Sequence, residues 1–187
     1  MNTPATSSAS GRMVLDLGSI AARRGQVHPP AAAMRIAGYA SLFGVADLSR
    51  DVVEPGAFAA SLAGRGTGGI RMLFQHDPAR PVGVWTSLRE DARGLAVQGR
   101  LTAGASDHLA ALILDGAVDG LSIGFRTVRA RTDPRTRLRH ILEADLWEIS
   151  IVTFPMLPGA RFSALPGPGP AAPDGTRRAA ALAAARD

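Results

Sequence analysis

The chain has 187 residues, 46% apolar and 5% aromatic and without cysteine, which suits one domain with an aliphatic core and excludes disulfides, thiolate zinc sites and a cysteine nucleophile. The formal charge is +5 and every one of the 21 basic residues is Arg; these are spread along the chain without aromatic interleaving, so no nucleic-acid partner is expected. No apolar run nears the roughly 18 residues of a membrane span, and the polar start 1–11 lacks a signal-peptide layout, so no membrane association and an intracellular location are expected.

Residues 1–33 read as a flexible arm rich in Pro, Ser and Ala, with "MVLDLGS" (13–19) as a possible edge strand. A core follows over 34–165. Strands are predicted at 34–43, 70–75, 81–90, 94–101, 121–131, 137–144 and 146–153, from β-branched or alternating residues between Gly, Pro and Asp. "EDARG" (90–94) and "TDPRT" (132–136) read as hairpin connections. Two helices are predicted. One spans 54–64, with Asp51 and Glu54 charging and capping its start and Pro55 in the first turn. The other spans 106–116, with Ser106 as N-cap and Gly116 as the stop. The tail 166–187 reads as a Pro/Gly linker followed by an Ala-rich stretch, with marginal helix over 179–186. The fold class expected is mainly β with flanking helices (α+β), built on an antiparallel, barrel-like or sandwich-like core.

"GLSIG" (120–124) matches the G-x-S-x-G nucleophile elbow. An α/β-hydrolase needs a helix after that Ser, then an acid, then a His. Here a strand follows, and His140 precedes Glu143, Asp145 and Glu148. The match fails as an elbow, and a Ser in a Gly-flanked turn entering a strand accounts for it locally. A base can still come from earlier in the chain. His76 ends an apolar strand in "MLFQHDPARPVGVW" (72–85). Glu148 lies in "LWEISIVTFP" (146–155), where alternation puts it on one face with Leu146, Ser150 and Val152, and puts Trp147, Ile149 and Ile151 on the other. A carboxylate in so apolar a strand needs a donor or a cation. Ser122 as nucleophile, His76 as general base and Glu148 as orienting acid are chemically sufficient for serine hydrolysis. The four His are scattered without metal-ligand spacing, so neither a metal nor another cofactor is expected. His108 reads as a surface or packing residue, and Trp85 and Trp147 as core or dimer-contact aromatics.

Taken in order, "GYASLFG" (38–44), "DVVEPGAFAASL" (51–62), "MLFQHDPARPVGVW" (72–85), "EDARGLAVQGRL" (90–101), "GAVDGLSIGF" (116–125) and "LWEISIVTFPMLPGA" (146–160) resemble the prohead (capsid maturation) proteases of tailed bacteriophages and gene-transfer agents. The resemblance implies a β-barrel-like fold shared with herpesvirus assembly proteases. It implies a serine endopeptidase with its His in "QHD" (His76) and its Ser in "GLSIGF" (Ser122). For the third member it points to Glu148, with Asp145 and Asp77 as alternatives. The oxyanion donors are not placed by the sequence; backbone N–H groups near Gly124 and in the loop after Pro155 are the candidates. It further implies cleavage of the major capsid protein extension or scaffold inside assembling proheads in the bacterial cytoplasm, self-trimming, and a homodimer. The rival readings are a non-catalytic capsid assembly or scaffold component of the same fold, and an Arg-rich nucleic-acid-binding β protein.

Overall fold

The computed structural model describes residues 34–102 and 107–165. The arm, the tail, Ser106 and His28 lie outside these residues. The elements are β1 (Arg35–Leu42), β2 (Asp51–Val53), α1 (Ala59–Arg65), β3 (Arg71–Phe74), β4 (Asp77–Glu90), β5 (Gly94–Leu101), α2 (Asp107–Leu114), β6 (Gly120–Thr132), β7 (Arg139–Val152) and β8 (Phe162–Leu165). All strands join one curled, half-barrel sheet. Over the described residues the fold is therefore mainly β with two flanking helices, as the strand-rich pattern predicts.

β7 organises the sheet. β6 pairs antiparallel along one edge, from Gly120↔Val152 to Thr132↔Arg139. On the other edge two parallel strands dock in succession, β2 at 139–141 and β3 at 148–151. From β3 the sheet runs antiparallel through β4, β5, β1 and β8. The two ends meet where Leu121 N donates to Ala160 O (2.9 Å) and Phe162 N to Asp119 O (3.0 Å). The core inside the curl is aliphatic, with Ile36, Leu95, Val97, Leu101, Leu121, Ile141, Leu146, Ile149 and Ile151 buried together around Phe58 and Trp85.

Between β2 and β3 the edge of β7 would leave unpaired backbone groups, which burial makes costly. The α1 region covers it. Ala144 N donates to Ala57 O (2.8 Å), and Leu146 N donates to Ser61 Oγ (2.9 Å). This explains why the helix starts later than predicted, at Ala59: residues 54–57 are held extended or in a turn by β7, and Glu54 N donates to Ile141 O. The capping expectation for Asp51 and Glu54 is also corrected. Asp51 sits in β2 in a bidentate pair with Arg139, and Glu54 Oε1 meets His140 Nδ1 at 2.6 Å. The carboxylate that serves the helix entry is Glu90, which accepts from Phe58 N at 2.8 Å. The two strands predicted at 137–144 and 146–153 are one continuous strand. β2, β8 and both parallel pairings were not anticipated.

One irregularity in β7 changes the face assignment made from alternation. Gly124 pairs with Glu148 but Phe125 pairs with Leu146, so Trp147 is an extra, bulged residue. Leu146 therefore enters the core beside Ile149 and Ile151, and Trp147, 55% exposed, turns out to the Glu148 side. Trp85 is a core aromatic at 4% exposure; Trp147 is not. His108 is exposed.

Candidate active site

The outer face of the β3–β7–β6 ribbon carries the predicted chemistry. In β6 every second residue points outward, so Gly120, Ser122 and Gly124 share that face while Leu121 enters the core. The register places Ser122 directly opposite Ser150 and Gly124 opposite Glu148. Directly opposed side chains lie with Cβ atoms about 5 Å apart. The G-x-S-x-G pattern is thus a strand pattern with period two. Both glycines clear space on either side of the Ser. A Cβ on Gly124 would lie 2.1 Å from Glu148 Oε1, and one on Gly120 would lie 2.6 Å from Val152 O and 2.9 Å from Pro155 Cδ. The first glycine lets the Glu148 carboxylate lie across β6. The second lets the loop after β7 fold against the same face.

His76 reaches this face from the turn after β3. The parallel pairing continues one step past the strand, with Gln75 N donating to Ile151 O at 3.0 Å. Gln75 and His76 then both take left-handed conformations, φ 55° and 59°. For residues with a Cβ this costs about 1–2 kcal/mol each, and local bonds hold it. Gln75 Nε2 donates to Thr153 Oγ1 at 2.7 Å, and His76 N donates to Ser150 Oγ at 3.2 Å. The turn delivers the imidazole to Glu148, with Nδ1 2.7 Å from Oε1. A carboxylate only accepts, so Nδ1 carries the hydrogen and Nε2 is left with its lone pair. The hydrogen bond to Glu148 raises the His76 pKa above the ordinary imidazole value, against the opposing effect of burial.

Ser150 completes the arrangement and was not singled out from the sequence. It is fully buried, donates to Glu148 Oε2 at 2.6 Å and accepts from His76 N. It fixes the second carboxylate oxygen and the His76 backbone together. Its signal in the sequence is only a Ser two residues from Glu148 within an apolar strand.

Ser122 is 5% exposed, and its hydroxyl has no hydrogen-bond partner among the described residues. No side-chain oxygen there is both sealed and unpaired, so Ser122 Oγ keeps an opening to the surface. The residue also borders a hollow of about 280 Å³ lined by Val53, Leu121, Phe125 and Arg139 but not by His76 or Glu148. Pairing with Ser150 sets the direction of its side chain, toward the outer face. The alternatives for the acid are engaged elsewhere. Asp145 binds Arg65 and Trp147 Nε1, which hold its pKa below the usual carboxylate range, the Trp147 bond most of all. Asp77 Oδ1 accepts from Ala79 N in its own turn. The arrangement can therefore offer a hydroxyl, a neutral imidazole and a doubly anchored carboxylate on one sheet face.

Comparison with known proteins agrees with this architecture. The chain belongs to the caudovirus prohead serine protease family, whose model matches residues 23–166. It is 42% identical over 125 residues to the prohead protease of Enterobacteria phage HK97, a match covering 63% of this chain and 54% of that protein. The chain thus spans about half the length of that relative. The capsid assembly protease of bacteriophage T4 shares the fold, with TM-score 0.51 and 16% identity over 64% of this chain and 81% of that one. The KSHV protease superposes with TM-score 0.47 and 14% identity over 72% of this chain and 65% of that one.

Proposed function

We propose that the chain is a serine endopeptidase of capsid maturation, with Ser122 as nucleophile, His76 as general base and Glu148 as orienting acid. The observation that carries this reading is the His76–Glu148 bond formed over Gly124, two residues along the same strand face from Ser122, in a member of this family. Ser122 Oγ attacks the scissile carbonyl while His76 Nε2 takes its proton. Glu148 keeps the Nδ1–H tautomer and stabilises the imidazolium. His76 then returns the proton to the leaving amine, and water repeats the sequence on the acyl-enzyme. The substrates are the extension of the major capsid protein or a scaffold within the prohead, and the chain trims its own terminal segments. A homodimer and action inside assembling proheads belong to the same proposal.

The test is co-expression with the neighbouring capsid protein, as wild type and as Ser122→Ala, followed by intact-mass measurement of both chains. Wild type shortens the capsid protein or itself, and the variant leaves both intact while remaining folded. Identical intact masses with a folded wild type would favour the non-catalytic assembly component. Identical shortening would assign the cut to a host protease.

A further inference from the structure

The β7 bulge builds a second feature beside the His76–Glu148 pair. A hollow of about 550 Å³ opens on the outer face, lined by Arg71, Leu73, His76, Pro78, Pro81, Trp147 and Glu148. Its walls are Leu73, two prolines that cannot donate backbone hydrogen bonds, and an indole. Exposing a Trp is unfavourable unless something covers it, and Trp147 is held in place rather than loose. Its Nε1 donates to Asp145 Oδ2 at 2.8 Å, and the Arg65 guanidinium, itself bonded to Asp145 at 2.8 Å, lies 5.5 Å from the ring centroid. The ring is therefore fixed before anything binds, which lowers the entropy lost on binding. Of the two charged groups on the rim, Glu148 is committed to His76 and Ser150. The other is the exposed Arg71, which spends one donor on Gly68 O. Arg71 is thus the one uncommitted charge on the rim, which disfavours a cation, while Leu73, Pro78, Pro81 and the Trp147 ring make the walls apolar.

We infer that this hollow is a subsite for one large, uncharged, apolar or aromatic side chain of the substrate, lodged against Trp147 at a fixed distance from the scissile bond. The occupant is set by continuity: the hollow shares His76 and Glu148 with the proposed catalytic face, so a peptide lying across Ser122 passes its mouth. This inference rests on the protease reading, and its test separates the two.

The enzyme would be given a peptide library made from a digested bacterial proteome, and the residues flanking each cut read by mass spectrometry. One position should be enriched several-fold in Leu, Met, Phe, Tyr or Trp and depleted in Arg and Lys. Trp147→Ala should flatten that position and raise KM for a preferred peptide about tenfold with kcat nearly kept, while Trp147→Phe restores the preference. An unchanged preference in Trp147→Ala overturns the subsite. Should wild type cut no peptide, the protease reading fails by itself. The subsite is then tested by binding. In Ser122→Ala, Trp147 is the indole open to iodide and Trp85 is buried. Acetylated tetrapeptides containing Leu or Phe should shield it from quenching, those containing Lys should not, and equal quenching with all of them overturns the subsite.

Discussion

Two His–Glu pairs among the described residues have nearly identical geometry. His76 Nδ1 meets Glu148 Oε1 at 2.7 Å, and His140 Nδ1 meets Glu54 Oε1 at 2.6 Å. Their settings differ. The His76 side chain is 44% exposed, stands on a strained turn and leans on a carboxylate whose second oxygen is tied down by Ser150. His140 is 18% exposed, lies within β7 opposite Val52, and fastens the segment entering α1 to the strand beneath it. A bonded imidazole and carboxylate do not by themselves make a catalytic site. The first pair differs in its more exposed imidazole and in having a serine on the same strand face, and on these its proposed catalytic role rests.

The largest expected effect comes from removing each imidazole in turn. His76→Ala should lower kcat/KM by about 10⁴-fold or more, whereas His140→Ala should leave turnover intact and cost only stability, seen as a lower Tm. Loss of turnover in His140→Ala, with His76→Ala active, would reverse the assignment. Next come the carboxylates. Glu148→Gln should cost about 10²–10⁴-fold in rate. In the proposed mechanism the base works in its neutral form, so activity should rise as pH climbs through the raised His76 pKa. Without the Glu148 bond, that acid limb moves to lower pH; Glu54→Gln should not move it. The sign for stability is opposite: a raised His76 pKa strengthens the fold below the ordinary imidazole value, and this is lost as pH rises through the raised one.

Gly124→Ala forces a Cβ into the Glu148 carboxylate and should cost about 10²-fold in kcat/KM and about 1–3 kcal/mol of stability. Gly64→Ala, on open helix surface, should be neutral or stabilising in the same denaturation assay. The smallest change is Ser150→Ala. It frees Glu148 Oε2 and should lower kcat/KM about tenfold and stability by about 1–3 kcal/mol, with partial rescue by Ser150→Thr and a displaced acid limb that a purely structural role would not produce.

Several parts of this arrangement were readable from the residues alone. Strand alternation and the turn residues gave most strands, the hairpins and the β-rich class. The ordered segments around His76, Ser122 and Glu148 gave the family. What escaped was decided by tertiary pairing. The bulge at Trp147 leaves no local mark, because it is set by the register of β6 against β7, and the neighbouring Leu146 N–H finds its acceptor only in Ser61, 85 residues away. The same holds for Asp51 and Glu54. Both look like helix caps in sequence, but their partners Arg139 and His140 arrive only when β2 docks on β7. The GLSIG stretch was misleading in one respect: its spacing fits a turn motif and a flat strand equally, and only the strand gives both glycines a reason.

The parallel docking of β3 on β7 bears on when the proposed activity can begin. Arg71 pairs with Glu148 and Phe74 with Ile151, so the ribbon that leads into His76 joins segments far apart along the chain, with the Ser122 strand between them in sequence. Such long-range closure is slow compared with hairpins such as β4–β5. On a ribosome, His76 and Ser122 emerge before the strand that carries Glu148. Under the proposed assignment, a nascent chain carries no hydrolytic power until β7 is inserted, and synthesis itself acts as a delay before the first cut.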